Sequence, residues 1–485
     1  MTDKTMNGVN GPRMLSAAMR SAVIVSTAMI LWYAVFAGAV PANEVDNSPW
    51  KAGVASAVIT PEQPMWMAGY ASRRKPSDGK VHDLYAKAVV LEDAVGTRQV
   101  IVTLDLISVP RPLRNWLEAH VAEQFKLPPE SLLINCSHTH CGPEIRTKES
   151  SLDGIGRERA RQATAYGARL RETLLELVRK AIDDLSPAAV SYCHARAGFA
   201  MNRRTFVEGG VRNFPNPDGP VDHDVPVLHV KRSDGRLDAL LFGYACHNTT
   251  LGIYQFCGDY AGFAQQYLEE DHPGTVAMFM IGCGGDQNPY PRRTVDLAQR
   301  HGRALATAVE AALGTDAQPL EGALRSAYEM VTLDYAPAPT REQIVKLAES
   351  QDKYDQAWGQ RLLEQFQRDG RLRSQYDCPV QVVRFGESLT LVALPGETVV
   401  DYSLRLKREL PGNEENAPAI WVAGYSNDVF AYIPSRRVLE EGGYEAGGAM
   451  RYMTTLQPGP FATSVEQRII KKVHQLNEQL GGGGS

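Results

Sequence analysis

The sequence predicts a mixed α/β fold, with partly parallel β-sheets flanked by helices and a site at the C-terminal ends of strands. Strand-like apolar runs alternate along the chain with stretches of helical periodicity, the pattern of β-α-β units. Three of those runs also end in chemistry-bearing residues. Ser131–Cys136 (SLLINC) leads into Ser137-His138-Thr139-His140, Ala239–Cys246 (ALLFGYAC) into His247, and Leu389–Leu394 (LTLVAL) into Pro395-Gly396-Glu397. In an open α/β sheet, ligands bind outside the carboxyl ends of the strands.

Taken in order, Gly53–Thr60 reads as a first strand stopped by Pro61. The chain turns through Gly69-Tyr70 and a basic loop (SRRKPSDGK) to His82-Asp83. Leu84–Glu92 and Gln99–Leu106 read as paired strands around a turn at Ala94–Gly96. Pro110–Phe125 has helical periodicity and precedes SLLINC, which makes a first β-α-β unit. Glu158–Leu185 is a long amphipathic helix ending before Pro187, and Val190–Ala197 and Val225–Val230 are strands around a loop that carries Asn202-Arg203-Arg204. A second unit runs from ALLFGYAC through Tyr260–Glu270 to Val276–Ile281, which ends in Gly282-Cys283-Gly284-Gly285-Asp286 and is followed by a helix over Leu297–Leu313. Thr340–Arg373 is charged and helix-forming, a surface helical pair. A third unit runs from LTLVAL through Thr398–Leu410 to Ala419–Ala423. The expected sheet is largely parallel or mixed, within one catalytic domain over about 50–475.

At 485 residues, with 44% hydrophobic and 22% charged residues, the chain is long enough for a substantial core and has a globular composition. A net charge of −5 offers no basic stripe, so nucleic acid is not an expected partner. Arg13 and Arg20 precede an apolar stretch from Ala22 to Gly38, with small residues for cleavage after Ala39 or Ala42. Residues 1–42 therefore read as a signal peptide or N-terminal membrane anchor, which implies an exported protein: periplasmic, extracellular or membrane-tethered. Residues 481–485 (GGGGS) read as a flexible linker or tag. The seven cysteines are odd in number and include no C-x-x-C pair, so a packed core role is expected rather than a disulfide framework or zinc ribbon.

His138 and His140 are two apart, so on a regular strand both point to the same face, a common metal-binding arrangement. The Gly142-Pro143 turn that follows leaves the strand end open. Taken singly, His247 is as well read as a hydrogen-bonded core residue, Glu397 as a carboxylate at a helix N-terminus, and Asp286 as a loop or cap residue. Together they place two His sites and a carboxylate at matching strand ends. Zinc held by His, His and Glu with an open position lowers the pKa of bound water and polarises a carbonyl, which is metal-assisted hydrolysis of an amide or ester. Tyr425, Tyr432 and Tyr444 follow the third unit, and a phenol there supplies a further ligand or an oxyanion donor.

Ser137–Pro143 (SHTHCGP) resembles the T-H-T-H-S-G-P signature of the neutral/alkaline non-lysosomal ceramidases. The Ala52–Gly69 stretch, the His82 segment, the Asn202-Arg203-Arg204 loop, GCGGDQNP, LPGE and GYSNDVFAYIPSRRVLEEGGYE follow in the family's order, over roughly residues 50–475. The resemblance implies zinc ligands at His138, His247, Glu397 and Tyr432, with Tyr425 a near neighbour of the last. His140 then lies beside the metal-bound water, and Arg203 or Arg204 with Tyr444 lies near the scissile carbonyl; Asp286, in the family's G-D segment, joins His140, Arg203 and Tyr444 as a catalytic candidate. The implied mechanism is attack of zinc-bound hydroxide on an amide of ceramide or another N-acyl substrate, with membrane-surface association of the protein. Asn288 stands where the family keeps serine, and Glu144-Ile145 stand where it keeps Gly-Gly. The family's C-terminal immunoglobulin-like domain is not matched. These departures keep two further readings open: a zinc hydrolase of a different, non-lipid amide or ester, and a non-catalytic binding protein retaining the fold.

Overall fold

The computed structural model describes residues 50–146, 156–411, 417–453 and 455–481. The apolar N-terminal stretch and residues 482–485 of the Gly/Ser tail lie outside the described residues, and Gly481 ends the last helix instead of starting a linker. Strands β1 (Trp50–Val58), β2 (Tyr85–Glu92), β3 (Arg98–Leu104) and β4 (Leu132–Cys136) come first. β5 (Ser186–Arg196), β6 (Ala200–Val207), β7 (Gly210–Asn216), β8 (Asp224–Arg232), β9 (Leu237–Tyr244) and β10 (Val276–Ile281) follow. The short β11 (Gln287–Pro289) and β12 (Gln318–Pro319) lead to β13 (Leu324–Asp334), β14 (Gln375–Phe385), β15 (Leu389–Ala393), β16 (Glu397–Thr398), β17 (Ala419–Ala423) and β18 (Tyr432–Ile433). The helices used below are α1 (Arg111–Phe125), α2 (Arg157–Asp183), α3 (Asp259–Asp271), α4 (Val295–Leu313), α5 (Arg341–Ala348), α6 (Lys353–Asp369), α7 (Val400–Glu409), α8 (Arg436–Glu441) and α9 (Val465–Gly481).

The three expected β-α-β units are present, each closing a parallel pair: β3 with β4, β9 with β10, and β15 with β17. They do not share one sheet. The first two belong to a nine-stranded sheet in the order β10-β9-β8-β5-β1-β2-β3-β4, with β12 added beside β5. The third lies in a four-stranded sheet, β13-β14-β15-β17. The remaining pairs in both sheets are antiparallel, so the fold is mixed α/β.

Side-chain alternation stacks these sheets face to face. Val89 and Leu91 of β2 and Met278 and Met280 of β10 share a buried cluster with Val383, Phe385, Leu391 and Trp421 of the smaller sheet. The alternate residues Ala88, Val90, Ala277, Phe279 and Ile281 face a second cluster built with α1, α2, α3 and α4. On the far side of the smaller sheet, Val380 and Val382 pack with Leu406 of α7 and Ile469 and Val473 of α9. The result is a helix–sheet–sheet–helix sandwich. Strands buried on both faces explain why they read as unbroken apolar runs and not as alternating ones. The α5–α6 pair expected over residues 340–373 forms its own small core around Ile344, Leu362 and Leu372.

One buried polar residue inside an apolar run locks the sheets in register. Asn135 of β4 donates to Gly424 O at 2.8 Å and to Ser426 Oγ at 3.1 Å, and accepts the Ile281 N–H at 3.0 Å. Asn427 adds a second tie, accepting from Ile134 N and donating to Gln381. The C-terminal ends of β4, β10 and β17 are thereby brought together. All seven cysteines are buried and unbridged, as packed core residues.

The chain before α3 is held by a neutral histidine. His82 Nε2 accepts the Gly258 N–H at 2.7 Å, which requires a lone pair there, and burial lowers its pKa to about 4. Burial does the same to His229 in β8, also to about 4. An unfolded chain binds these protons near pH 6.5 while the folded chain refuses them until about 4, so these two groups remove stability as the pH falls through that window. The denaturant midpoint should therefore drop between pH 6.5 and 4, and His82→Gln, which still accepts the N–H but does not titrate, should flatten the fall. An unchanged slope in that variant refutes the assignment.

Candidate metal centre

Four elements deliver the site. β4 ends at Cys136, and the next residues stay pinned to the segment after β3, with Ser137 N donating to Leu104 O and His138 N to Leu106 O. His138 is therefore not on a regular strand, as the two-residue spacing suggested. It adopts a left-handed φ of 58°, and the turn it starts, more than a strand face, brings His138 and His140 together, their Nε2 atoms 3.1 Å apart. His247 follows β9. Glu397 begins β16, which pairs in parallel with β18 so that Glu397 stands directly opposite Tyr432.

The imidazoles are held by their far nitrogens. His138 Nδ1 lies 2.6 Å from Ile107 O and His247 Nδ1 2.6 Å from Gly284 O. A main-chain carbonyl only accepts, so each Nδ1 carries the proton and each Nε2 presents its lone pair inward. Glu397 Oε2 is 3.3 Å from the first Nε2 and 3.2 Å from the second, and the Tyr432 hydroxyl is 3.1 Å from His247 Nε2. Glu397 Oε2 is buried with no hydrogen-bond partner among the described residues. Lone pairs converging on a buried carboxylate oxygen need a cation among them. This donor set, nitrogen with carboxylate and phenol oxygen, fits zinc, and the cluster His138, His140 and His247 has its ligating atoms within 4.8 Å.

Burial and the neighbouring Arg203 lower His247 to about 3, and burial with His138 and His247 keeps His140 neutral. Burial and Glu397 raise the Tyr432 phenol. Tyr425, the neighbour left open by the sequence, touches the opposite edge: its hydroxyl is 3.3 Å from His247 Nδ1. The geometry selects Tyr432 as the phenol on the lone-pair side.

Arg203 and Arg204 also separate. A bulge between Asn202 and Arg204, in β6 rather than in the expected loop, sends neighbouring guanidiniums to opposite sides of a shared partner, Glu445. Arg203 donates to the Tyr432 hydroxyl at 3.0 Å, to Asn288 Oδ1 at 3.2 Å and to Glu445 Oε1 at 2.8 Å. Arg204 turns to Glu445, Glu441 and Gly442 O. The Tyr444 ring lies 5.4 Å from that of Tyr432, and Arg203 lies 5.9 Å from it. Tyr444 is 37% exposed, so it stands at the mouth of the site. Asp286 does not join the cluster. Its oxygens accept from the Val400 N–H at 2.9 Å and the Asn202 amide at 3.1 Å, tying the start of α7 to β6, and burial raises its pKa to about 6. It positions the Arg203 strand.

Sequence reasoning missed Asn135 and the surroundings of His140. The Tyr70 ring meets the His140 ring edge-on at 4.8 Å, and Arg73 donates to His140 O at 2.7 Å. The polar residue inside SLLINC and the aromatic–basic loop Tyr70–Lys75 were the available signals. Gly69, at φ 96°, lies so close that a Cβ would sit 2.4 Å from His140 Cγ. Gly69→Ala should displace that ring and lower kcat/KM by up to about 10²-fold, since misplacement by about 1 Å costs that much, with metal content unchanged. Full activity in Gly69→Ala would show that His140 need not be held there.

A family model for neutral/alkaline non-lysosomal ceramidase, N-terminal, matches residues 50–314. The chain belongs to this family. His138, His140, Arg203, His247 and Asp286 fall inside the matched residues; Glu397, Tyr432 and Tyr444 fall beyond them and reach the site through the fold. Family membership makes the chain a ceramidase-like hydrolase. Among solved structures, the neutral ceramidase from Pseudomonas aeruginosa is similar at 19% identity, with a TM-score of 0.68 over 90% of this chain and 75% of that one. A ceramidase complexed with C2 is similar at 18% identity, with a TM-score of 0.69 over 90% of this chain and 76% of that one. These likenesses bear out the α/β fold. Among curated proteins, none matches the sequence.

Proposed function

We propose that this chain is a zinc-dependent amidohydrolase that cleaves the N-acyl amide of ceramide or a related lipid. The observation that carries the reading is the convergence of His138 Nε2, His247 Nε2 and the unpartnered Glu397 Oε2, with Tyr432 alongside. Zinc, when bound by these residues, supplies Lewis acidity that lowers the pKa of water towards neutrality and polarises a carbonyl. His140, neutral and beside His138, is the group to accept a proton from water and return it to the leaving amine. Arg203 and Tyr444 donate toward a carbonyl oxygen as negative charge develops on it. Asn288, at the family's serine position, accepts from Arg203 and so orients it. The exposed Phe206 and Phe214 of the β6–β7 hairpin support association with a lipid surface, and the apolar N-terminal stretch supports an exported or tethered protein.

The test is metal analysis of purified protein together with hydrolysis of N-acyl amides before and after chelation. Near-stoichiometric zinc, activity lost on chelation and restored by zinc are expected. Activity indifferent to chelation, or protein that takes up no zinc, overturns the reading.

A further inference from the structure

On the Tyr70 side of the histidine cluster the structure gathers positive charge that no carboxylate among the described residues pairs with. Arg73 lies 5.5 Å and Arg293 5.9 Å from the Tyr70 ring centre, and Arg292 feels the charges of Tyr70, Arg293, Tyr290 and Arg203. None of the three forms an ion pair among the described residues. Arg73 is held by neutral carbonyls, Ile253 O at 2.6 Å and His140 O at 2.7 Å. The Nε atoms of Arg73 and Arg292 are buried without a partner among the described residues. The nearby carboxylate, Asp259, is fully buried and already accepts the Leu251 and Tyr260 N–H groups. Burial, Arg293 and Arg203 together disfavour the charge on Arg292.

The backbone supports the same arrangement at a cost. Arg293 adopts φ 103°, a strained conformation for a non-glycine residue, pinned by its N–H to Thr250 O at 2.7 Å. Its guanidinium faces exposed Gly252 beside Tyr70, where no side chain intervenes. Arg73 and Arg292 are half-buried and Arg293 is exposed, and guanidiniums without a carboxylate partner are a usual recognition element for carboxylate and phosphate oxygens. The chain as a whole carries a net charge of −5, so this local excess is not a bulk property.

We infer that Arg73, Arg292 and Arg293 form an anion-binding subsite beside the metal centre, which takes a carboxylate or phosphate carried by the amide substrate. The inference rests on the amidohydrolase reading and deepens it: the preferred substrate is an N-acyl amide with an anionic group on its amine portion, which neutral ceramide lacks.

The test compares N-dodecanoylglycine and N-dodecanoylphosphoethanolamine with neutral N-dodecanoylethanolamine on zinc-loaded protein. At least one anionic amide should exceed the neutral one by about tenfold or more in kcat/KM, mainly through KM, and whichever leads identifies carboxylate or phosphate as the group. In Arg292→Gln/Arg293→Gln the ratio should fall to within about twofold of one, while the remote Lys346→Gln keeps it. Calorimetric binding of the same three amides to wild type and to the double variant is the second measurement. Anion-selective binding without any hydrolysis upholds the subsite and overturns the hydrolase reading. Hydrolysis or binding that favours the neutral amide, or a ratio unmoved in the double variant, overturns the subsite.

Discussion

His138→Ala and Glu397→Gln should each abolish stoichiometric zinc binding and lower amide hydrolysis by about 10³-fold or more, since the metal supplies several kcal/mol of transition-state stabilisation and each 1.4 kcal/mol is tenfold. His140→Ala should behave differently. It keeps its zinc, because His138 and His247 each present an Nε2 fixed from behind by a carbonyl and Glu397 Oε2 faces both. It still loses about 10²-fold or more in rate, the usual contribution of a positioned proton carrier. Metal analysis paired with steady-state rates on the three variants separates ligands from helper. If His140→Ala loses zinc as completely as His138→Ala, His140 is a ligand and the roles are wrong. If Glu397→Gln retains both metal and rate, the buried oxygen facing the two imidazoles has some other counter-charge.

The residues just past strand ends were legible because their strands are buried on both faces. Such strands appear as uninterrupted apolar runs, and a histidine or glutamate at the end of one stands out against them. His138, His247 and Glu397 could therefore be placed from the chain alone, while the way His138 reaches the site could not. Its left-handed backbone follows from hydrogen bonds to the segment after β3, a non-local constraint. Tyr432 and Tyr425 are alike in composition and spacing. They are told apart by a pairing of two-residue strands, β16 with β18, too short to leave a periodic signal. Arg203 and Arg204 are adjacent and chemically identical, and a bulge assigns one to the site and the other to its support. The division of three β-α-β units between two stacked sheets was likewise hidden, since each unit is locally the same whichever sheet it joins. Its trace is Asn135, a polar residue in an apolar strand whose partners lie on β10 and after β17.

Glu445→Ala should be the most destabilising single change near the site, by about 3–5 kcal/mol, the cost of stripping the partner from a buried ion pair. Glu445 is 3% exposed and bridges two buried arginines, accepting from Arg203 Nε at 2.8 Å and Arg204 Nη1 at 2.6 Å. Removing it leaves Arg203 without a carboxylate. Arg204 keeps Glu441, a partly exposed and weaker counter-charge, at 3.0 Å. Glu441→Ala should therefore cost much less, by the same reasoning that makes solvent-accessible pairs worth about 1 kcal/mol or under. The change at 445 also reaches the chemistry, because Glu445 follows Tyr444 in one tight turn and fixes the guanidinium that donates to Tyr432. Urea unfolding of metal-free protein isolates the stability term, and Arg203→Met added to Glu445→Ala should recover part of it by deleting the stranded charge. A double variant no more stable than Glu445→Ala would mean that the cost comes from lost packing of the turn and not from uncompensated charge.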